Sequence, residues 1–278
     1  MLAGCGTLSP VSMERESAPD RVGFEDFSPD WQIFAPDVLP GLFFTSGRTD
    51  SPRLEFWALR IDLTELSLEF VVNSATRSTK VSSFVRDYAL LAGINTVPFY
   101  PVSSRDGEAR TSTGVVVSAG LVLSPPAHNY DALVFFRDGR ARIIPQSKLA
   151  DLSAVKTAIG GFRIILNDSE LPPRLSPSPT APRHPRSAAG LSADGRTLYL
   201  LVIDGRRRAS IGATEAETGL ILQKLGAASG LNFDGGGSTA MALRFPDGEV
   251  RTVNTPIHSG IRGRERAVAA CLGLKAAE

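Results

Sequence analysis

Only two stretches of this 278-residue chain carry the apolar spacing of a helix, and both are short. From Val81 to Leu91, apolar residues fall at Val81, Phe84, Val85, Tyr88 and Leu91. That spacing makes one helical face, with Ser78 or Thr79 placed to cap its start and Gly93 to stop it. Glu215 to Leu225 is the second helix, ended by Gly226. Most of the remainder reads as short strands between turns: residues 54–61, 66–72, 94–99, 114–123, 131–137 and 141–144. Arg137-Asp138-Gly139-Arg140 is a hairpin turn, residues 187–191 and 198–204 pair across Ala193-Asp194-Gly195, and 267–274 reads as a final buried strand. Hairpins outnumber helical crossovers and no repeat is present. The expectation is an α+β fold, a mixed and mostly antiparallel sheet core with a few helices, in a single domain over residues 21–278.

Residues 171–185 hold six prolines and read as a long loop. Such a loop either borders the mouth of a site or is a solvated excursion.

The balance of 30 basic against 29 acidic residues leaves a net charge of +1, with no footprint for nucleic acid. No apolar run reaches the length of a membrane-spanning helix. Two cysteines, Cys5 and Cys271, do not make a disulfide framework. Leu2-Ala3-Gly4-Cys5 resembles a bacterial lipoprotein signal box with its lipidation site at Cys5, although no charged and apolar segments precede it. Residues 1–20 then read as a flexible tether. This places the protein in the bacterial cell envelope, as a periplasmic or surface lipoprotein if Cys5 is lipidated and secreted otherwise. The membrane is contacted only through that anchor.

The most unusual string is Asn232-Phe233-Asp234-Gly235-Gly236-Gly237-Ser238-Thr239. Consecutive glycines can present backbone N–H groups as an anion-binding nest. A Walker loop would need a lysine, which is absent. Gly235, Gly237 and Ala240 fit a dinucleotide fingerprint in form only, because a strand pattern and a proline-glycine turn follow instead of a helix. The plain alternative is a tight turn in which Asp234 caps backbone amides. His128, His184 and His258 are scattered without metal-ligand spacing, so a zinc site is not expected. The sequence leaves a calcium or magnesium ion near the carboxylates open, and implies no other cofactor.

Six ordered segments resemble the phosphodiester glycosidase family. They are Ile94 to Phe99; Ala158-Ile159-Gly160-Gly161; Pro185-Arg186-Ser187-Ala188-Ala189-Gly190 with Val202-Ile203-Asp204-Gly205-Arg206; Ser210 to Glu217; the glycine loop; and Val253-Asn254-Thr255-Pro256 with Arg264-Glu265-Arg266-Ala267-Val268. The likeness covers about residues 75–274. Phe162-Arg163 and Ser187 depart from the residues usual at those places.

The resemblance implies hydrolysis of a glycosyl-1-phosphodiester at the sugar side, giving free sugar and a phosphomonoester. That chemistry needs a carboxylate to activate water or attack the anomeric carbon, and a group to stabilise the departing phosphate. Asp234 is the first candidate carboxylate and Glu217 the second, although Thr214-x-x-Glu217 is also a capping box. Arg186 is the candidate phosphate ligand, since a guanidinium can hold two phosphate oxygens. Asn95, Asn254, Thr214, Gly235, Gly236, Gly237 and Ser238 are candidate substrate contacts. Asp204 is either another or a turn residue. The expected partner is a sugar-phosphate or phosphoglycan, of the kind found in envelope or extracellular polysaccharide. Two other readings fit the residues: a non-catalytic protein that binds glycan phosphate, and a phosphodiesterase cutting the other ester bond.

Overall fold

The computed structural model describes residues 20–277, apart from Pro36, Leu66, residues 74–76, residues 103–104 and Pro179. The tether and Cys5 lie outside the described residues.

Strands dominate, at 43% of the structure against 11% helix. The architecture is therefore β-rich, with helices as minor elements of the expected α+β arrangement. The largest sheet has eight strands, and its path runs through Arg21–Val22, Leu42–Asp50, Arg53–Asp62, Thr197–Ile203, Arg186–Leu191, Ser229–Asn232 and Arg163–Leu166. The short Gln32–Ile33 pairs beside this path. One pairing is parallel, Arg21–Val22 on Leu42–Asp50, and the others are antiparallel. A second sheet orders Leu121–Ser124, Val116–Ser118, Val155–Gly161, Asp131–Phe136 and Ala141–Pro145. A third orders Val250–Thr252, Met241–Arg244, Ala92–Asn95, Cys271–Ala276 and Leu68–Val72.

One apolar cluster joins all three sheets: Leu59 and Leu200 from the first, Leu133 and Ile159 from the second, Ile94 and Leu272 from the third. Their burial against one another supplies the main driving force for bringing the sheet ends together.

The second helix, α2 (Glu215–Leu225), matches its expectation. Thr214 caps it through a complete capping box with Glu217, and Gly226 ends it at φ +111°. The first, α1 (Val81–Asp87), is shorter than the apolar pattern suggests. Ala89 turns left-handed at φ +53°, so Leu91 leaves the helix. Neither Ser78 nor Thr79 caps it. Its first turn is held from a distance instead, with Ser82 Oγ donating to Glu265 Oε1 at 2.5 Å and Ser82 N to Oε2 at 3.2 Å. Gly93 is not a stop signal but a strand residue: a Cβ there would lie 2.8 Å from Val85 Cγ2, so its bareness lets α1 pack on the sheet.

Three strand expectations also change. The run 94–99 is broken, with Ala92–Asn95 and Phe99–Tyr100 as separate strands and residues 96–98 between them. The apolar run 114–123 folds as a hairpin, turned at Ala119 and Gly120 with φ of +49° and +83°. The last strand begins at Cys271, and the buried residues 267–270 precede it. The predicted pairing of 187–191 with 198–204 is present, in the register Arg186↔Ile203 to Leu191↔Leu198.

Candidate active site

Three neighbouring strands of the large sheet place chemistry at one end. Arg186 starts its strand, Asp204 follows Ile203, and Asp234 follows Asn232 two residues on. Because these strands run antiparallel, the start of one lies beside the ends of its two neighbours.

The Asp234 backbone is clamped by the third sheet. Its N–H donates to Thr96 O at 2.7 Å, and Asn95 Nδ2 donates to its carbonyl at 2.7 Å. Asn95 Oδ1 accepts from Ser187 Oγ at 2.6 Å and from Ala240 N at 3.1 Å. Fully buried, Asn95 spends its amide bridging two sheets, so it positions Asp234 and does not face a substrate.

The glycine loop is built around its own aspartate. The Gly235 N–H and the Ser238 hydroxyl lie beside the Asp234 carboxylate and favour its ionised form. The Gly236 N–H donates to Pro185 O at 2.8 Å. With the Gly236 amide so used and the Ser238 N–H donating to Gly235 O at 3.2 Å, the loop is not the open anion nest that its sequence suggests. Gly236 adopts φ +62°, which disfavours other residues. Gly237 is required for another reason: a Cβ there would lie 2.5 Å from Arg266 Nη2 and 3.1 Å from His258 Nδ1.

Arg266 is the cation of this loop. Its Nη1 donates to Ser238 Oγ at 3.1 Å and its Nε to His258 Nδ1 at 3.0 Å. Ser238 thus stands between Arg266 and Asp234. Since arginine only donates, His258 accepts at Nδ1 and carries its proton at Nε2. Burial, together with Arg266, Arg264 and Arg206, holds the His258 pKa below its usual value. Burial raises the Asp234 pKa to about 6, against the opposing pull of Ser238, Arg266 and Gly235. Arg206 adds a further positive field at Arg266 and His258.

Arg186 does not join this group. Its side chain turns towards α2, with Nε donating to Ala213 O at 3.0 Å and Nη1 lying 3.8 Å from Glu215 Oε1. Burial lowers its pKa, and the carboxylates acting on it are Glu215 and Glu217, not Asp234. Glu217 is committed as well: its Oε2 accepts from Thr214 N at 2.9 Å and from Arg183 Nη1 at 2.7 Å, and its Oε1 accepts from Arg183 Nη2 at 2.6 Å. The Thr214 hydroxyl caps Glu217 N at 3.1 Å.

Asp204 and Asn254 form an internal bracket. Asn254 Nδ2 donates to Asp204 Oδ1 at 3.1 Å and to Thr239 O at 3.2 Å, while its Oδ1 accepts from Met241 N at 3.0 Å. Asp204 also accepts from Thr255 N and from Arg207, which binds Glu55 in turn. At 1% exposure, burial lifts the Asp204 pKa to about 6 despite these partners. This bracket fixes the segment after the glycine loop.

Reading by residue type misses Arg266, His258, Arg206 and Arg183. The first three lie in or near the quoted family segments, but their convergence depends on the hairpin of Ile257–His258 with Ile261–Arg262. Arg183 has no sequence signal beyond lying in the proline-rich loop. Among the described residues, no three His, Cys, Asp or Glu side chains cluster as metal ligands. No helix there is long and apolar enough to cross a membrane.

At the meeting of two sheets, this β-rich scaffold holds a carboxylate among arginines. The phosphodiester glycosidase family model matches residues 89–275, and the chain belongs to that family. No curated protein matches it in sequence. Similar folds occur in a hypothetical protein from Synechocystis (TM-score 0.64, 14% identity), over 90% of this chain and 64% of that one. A Burkholderia pseudomallei protein described as exported gives a TM-score of 0.61 at 15% identity, over 80% and 74%. The zebrafish N-acetylglucosamine-1-phosphodiester alpha-N-acetylglucosaminidase catalytic domain, auto-inhibited by its pro-peptide, gives 0.62 at 17% identity, over 85% and 82%. The chain therefore spans just under two thirds of the Synechocystis protein's length.

Proposed function

We propose that the protein hydrolyses a glycosyl-1-phosphodiester at the sugar side. Water supplies the oxygen that ends on the anomeric carbon, the bond from that carbon to the phosphate oxygen breaks, and a free sugar and a phosphomonoester result. The observation that carries this reading is the Asp234–Ser238–Arg266 arrangement in a chain of this family. Asp234 supplies the carboxylate that activates water or attacks the anomeric carbon. With a pKa of about 6, it is mostly ionised at neutral pH.

Arg266 takes the phosphate-binding role that the sequence alone assigns to Arg186. Among the described residues its Nη2 has no hydrogen-bond partner, and it borders the bare face of Gly237. A guanidinium there offsets the charge that grows on the departing phosphate, so the leaving group needs little protonation. Arg206 reinforces the field. The protein's own cations supply this neutralisation, and treatment with a chelator is expected to leave the rate unchanged.

The likeness to a protein described as exported supports, for this chain, action on an envelope or extracellular glycan. Incubation with N-acetylglucosamine-1-phosphodiesters and other sugar-1-phosphodiesters in 18O-labelled water tests the reaction. Label in the sugar is expected. Label in the phosphate would identify a phosphodiesterase cutting the other bond, and binding without turnover would identify a glycan-phosphate receptor.

A further inference from the structure

Arg186 and Arg163 form a second cationic group at the same end of the sheet. Arg163 lies directly opposite Asn232, and Asn232 directly opposite Ala188, so these positions share a face. It is the face that α2 covers. Cβ atoms on Gly190 and Gly230 would lie 3.2 Å and 2.9 Å from Leu222, and side chains two residues apart project alike. Arg186 is two residues from Ala188 and joins the same face.

Both guanidiniums address a single carboxylate, Glu215, in the first turn of α2. Arg163 Nε is 3.5 Å from Glu215 Oε2 and Arg186 Nη1 is 3.8 Å from Oε1, so neither pair has the length of a strong hydrogen bond. Arg163 donates no hydrogen bond among the described residues, and Arg186 spends only Nε and a long 3.4 Å contact from Nη2 on carbonyls. Beside them Asn232, 2% exposed, has an Oδ1 without a partner. With Glu217 held by Arg183, the three arginines Arg163, Arg183 and Arg186 outnumber Glu215 and Glu217 at the N-terminus of an eleven-residue helix, which leaves positive charge and unspent donors.

We propose that Arg163 and Arg186 form a second anion subsite, which takes a phosphate or carboxylate on the acceptor portion of the substrate beyond the cleaved phosphate. The partnerless Asn232 oxygen suits a hydroxyl beside that anion, as a phosphorylated glycan provides. The two sites adjoin along the backbone, since a Cβ on Gly235 would lie 3.8 Å from Arg186 Cα. Exposed His184 continues the path: after burial, the fields of Arg186 and Arg206 lower its pKa. The substrate class is then a sugar attached through phosphate to an acceptor that is itself anionic. This assignment rests on the functional reading above.

The test compares two N-acetylglucosamine-1-phosphodiesters, one with an ethyl acceptor and one with a glycerol phosphate acceptor, on wild type and Arg163→Ala. Arg163 is half exposed and donates no hydrogen bond among the described residues, so its removal is expected to spare the fold. Wild type is expected to show a KM about ten-fold lower for the phosphate-bearing acceptor, the scale of one charge-assisted contact. Arg163→Ala is expected to erase that advantage while keeping the ethyl diester's KM and kcat. Equal wild-type KM values, or an advantage that survives in Arg163→Ala, would overturn the subsite. If neither diester is cleaved, the functional reading fails on its own. The subsite is then judged by calorimetric titration with glycerol 3-phosphate: binding weakened about ten-fold in Arg163→Ala supports it, and no binding or equal binding overturns it.

Discussion

Arg183 closes on Glu217 with both arms of its guanidinium, Nη1 to Oε2 at 2.7 Å and Nη2 to Oε1 at 2.6 Å. The same carboxylate completes the capping box of α2. A carboxylate held by a bidentate arginine and a backbone amide has its oxygens committed to the fold, which favours Asp234 as the carboxylate of the proposed reaction. Glu217→Ala is therefore expected to lower stability by about 1–2 kcal/mol, from the lost cap and a partly solvated ion pair. Turnover by the folded variant is expected to stay within a few-fold of wild type. A loss of about a hundred-fold in kcat without a fall in melting temperature would return Glu217 to the chemistry.

Asp234→Asn is expected to keep the fold and reduce kcat by at least about 10²-fold, the usual scale for an essential base or nucleophile. The amide matches the carboxylate in shape, and the backbone of residue 234 stays held by Thr96 O and Asn95 Nδ2, so the loop keeps its shape. Thermal unfolding alongside kinetics separates the two effects. Near-normal turnover would require another carboxylate.

The pH dependence follows from the same group. Asp234 works ionised and its pKa is raised from 3.8 to about 6, so kcat/KM is expected to fall as pH drops through about 6 and to be flat above it on the acid side of the profile. The stability effect has the opposite sense. A carboxyl whose folded pKa exceeds its ordinary value contributes stability below that ordinary value, and loses it as pH rises through about 6. Asp234→Asn is accordingly expected to be no less stable than wild type at pH 7. A rate that instead falls above pH 6 would make Asp234 a proton donor.

Arg266→Ala is expected to cost about 10²–10³-fold in kcat, the range for removing one donor to developing charge. Gly237→Ala tests the same contact indirectly, because its new methyl group must displace Arg266 Nη2 or His258. It is expected to lose activity with a smaller change in melting temperature. Full activity in both variants would remove Arg266 from the site.

Much of the framework was legible because its causes are local. The capping residues and Gly226 bound α2 within the sequence that forms it. Turn residues marked the hairpin joining 131–136 to 141–145, and the pairing of 186–191 with 197–203. Local signals failed where a distant residue intervened. The start of α1 is satisfied by Glu265, 183 positions from Ser82, and Gly93 is explained only by the helix packed over it.

The sequence by itself determined the family, and it singled out the glycine loop and Asp234 as the candidates for the chemistry, since all three readings rest on contiguous strings of residues. Only the tertiary structure decided which charges meet. Arg186 follows Pro185, whose carbonyl holds the glycine loop, yet strand geometry sends its side chain towards α2. Arg266 lies 32 positions after Asp234 and reaches its neighbourhood because the Ile257–Arg262 hairpin and the close of the third sheet bring it back. The physical reason is that spacing along a strand fixes the face a side chain takes. Partners across a sheet end depend on register and on how apolar burial docks one sheet against another.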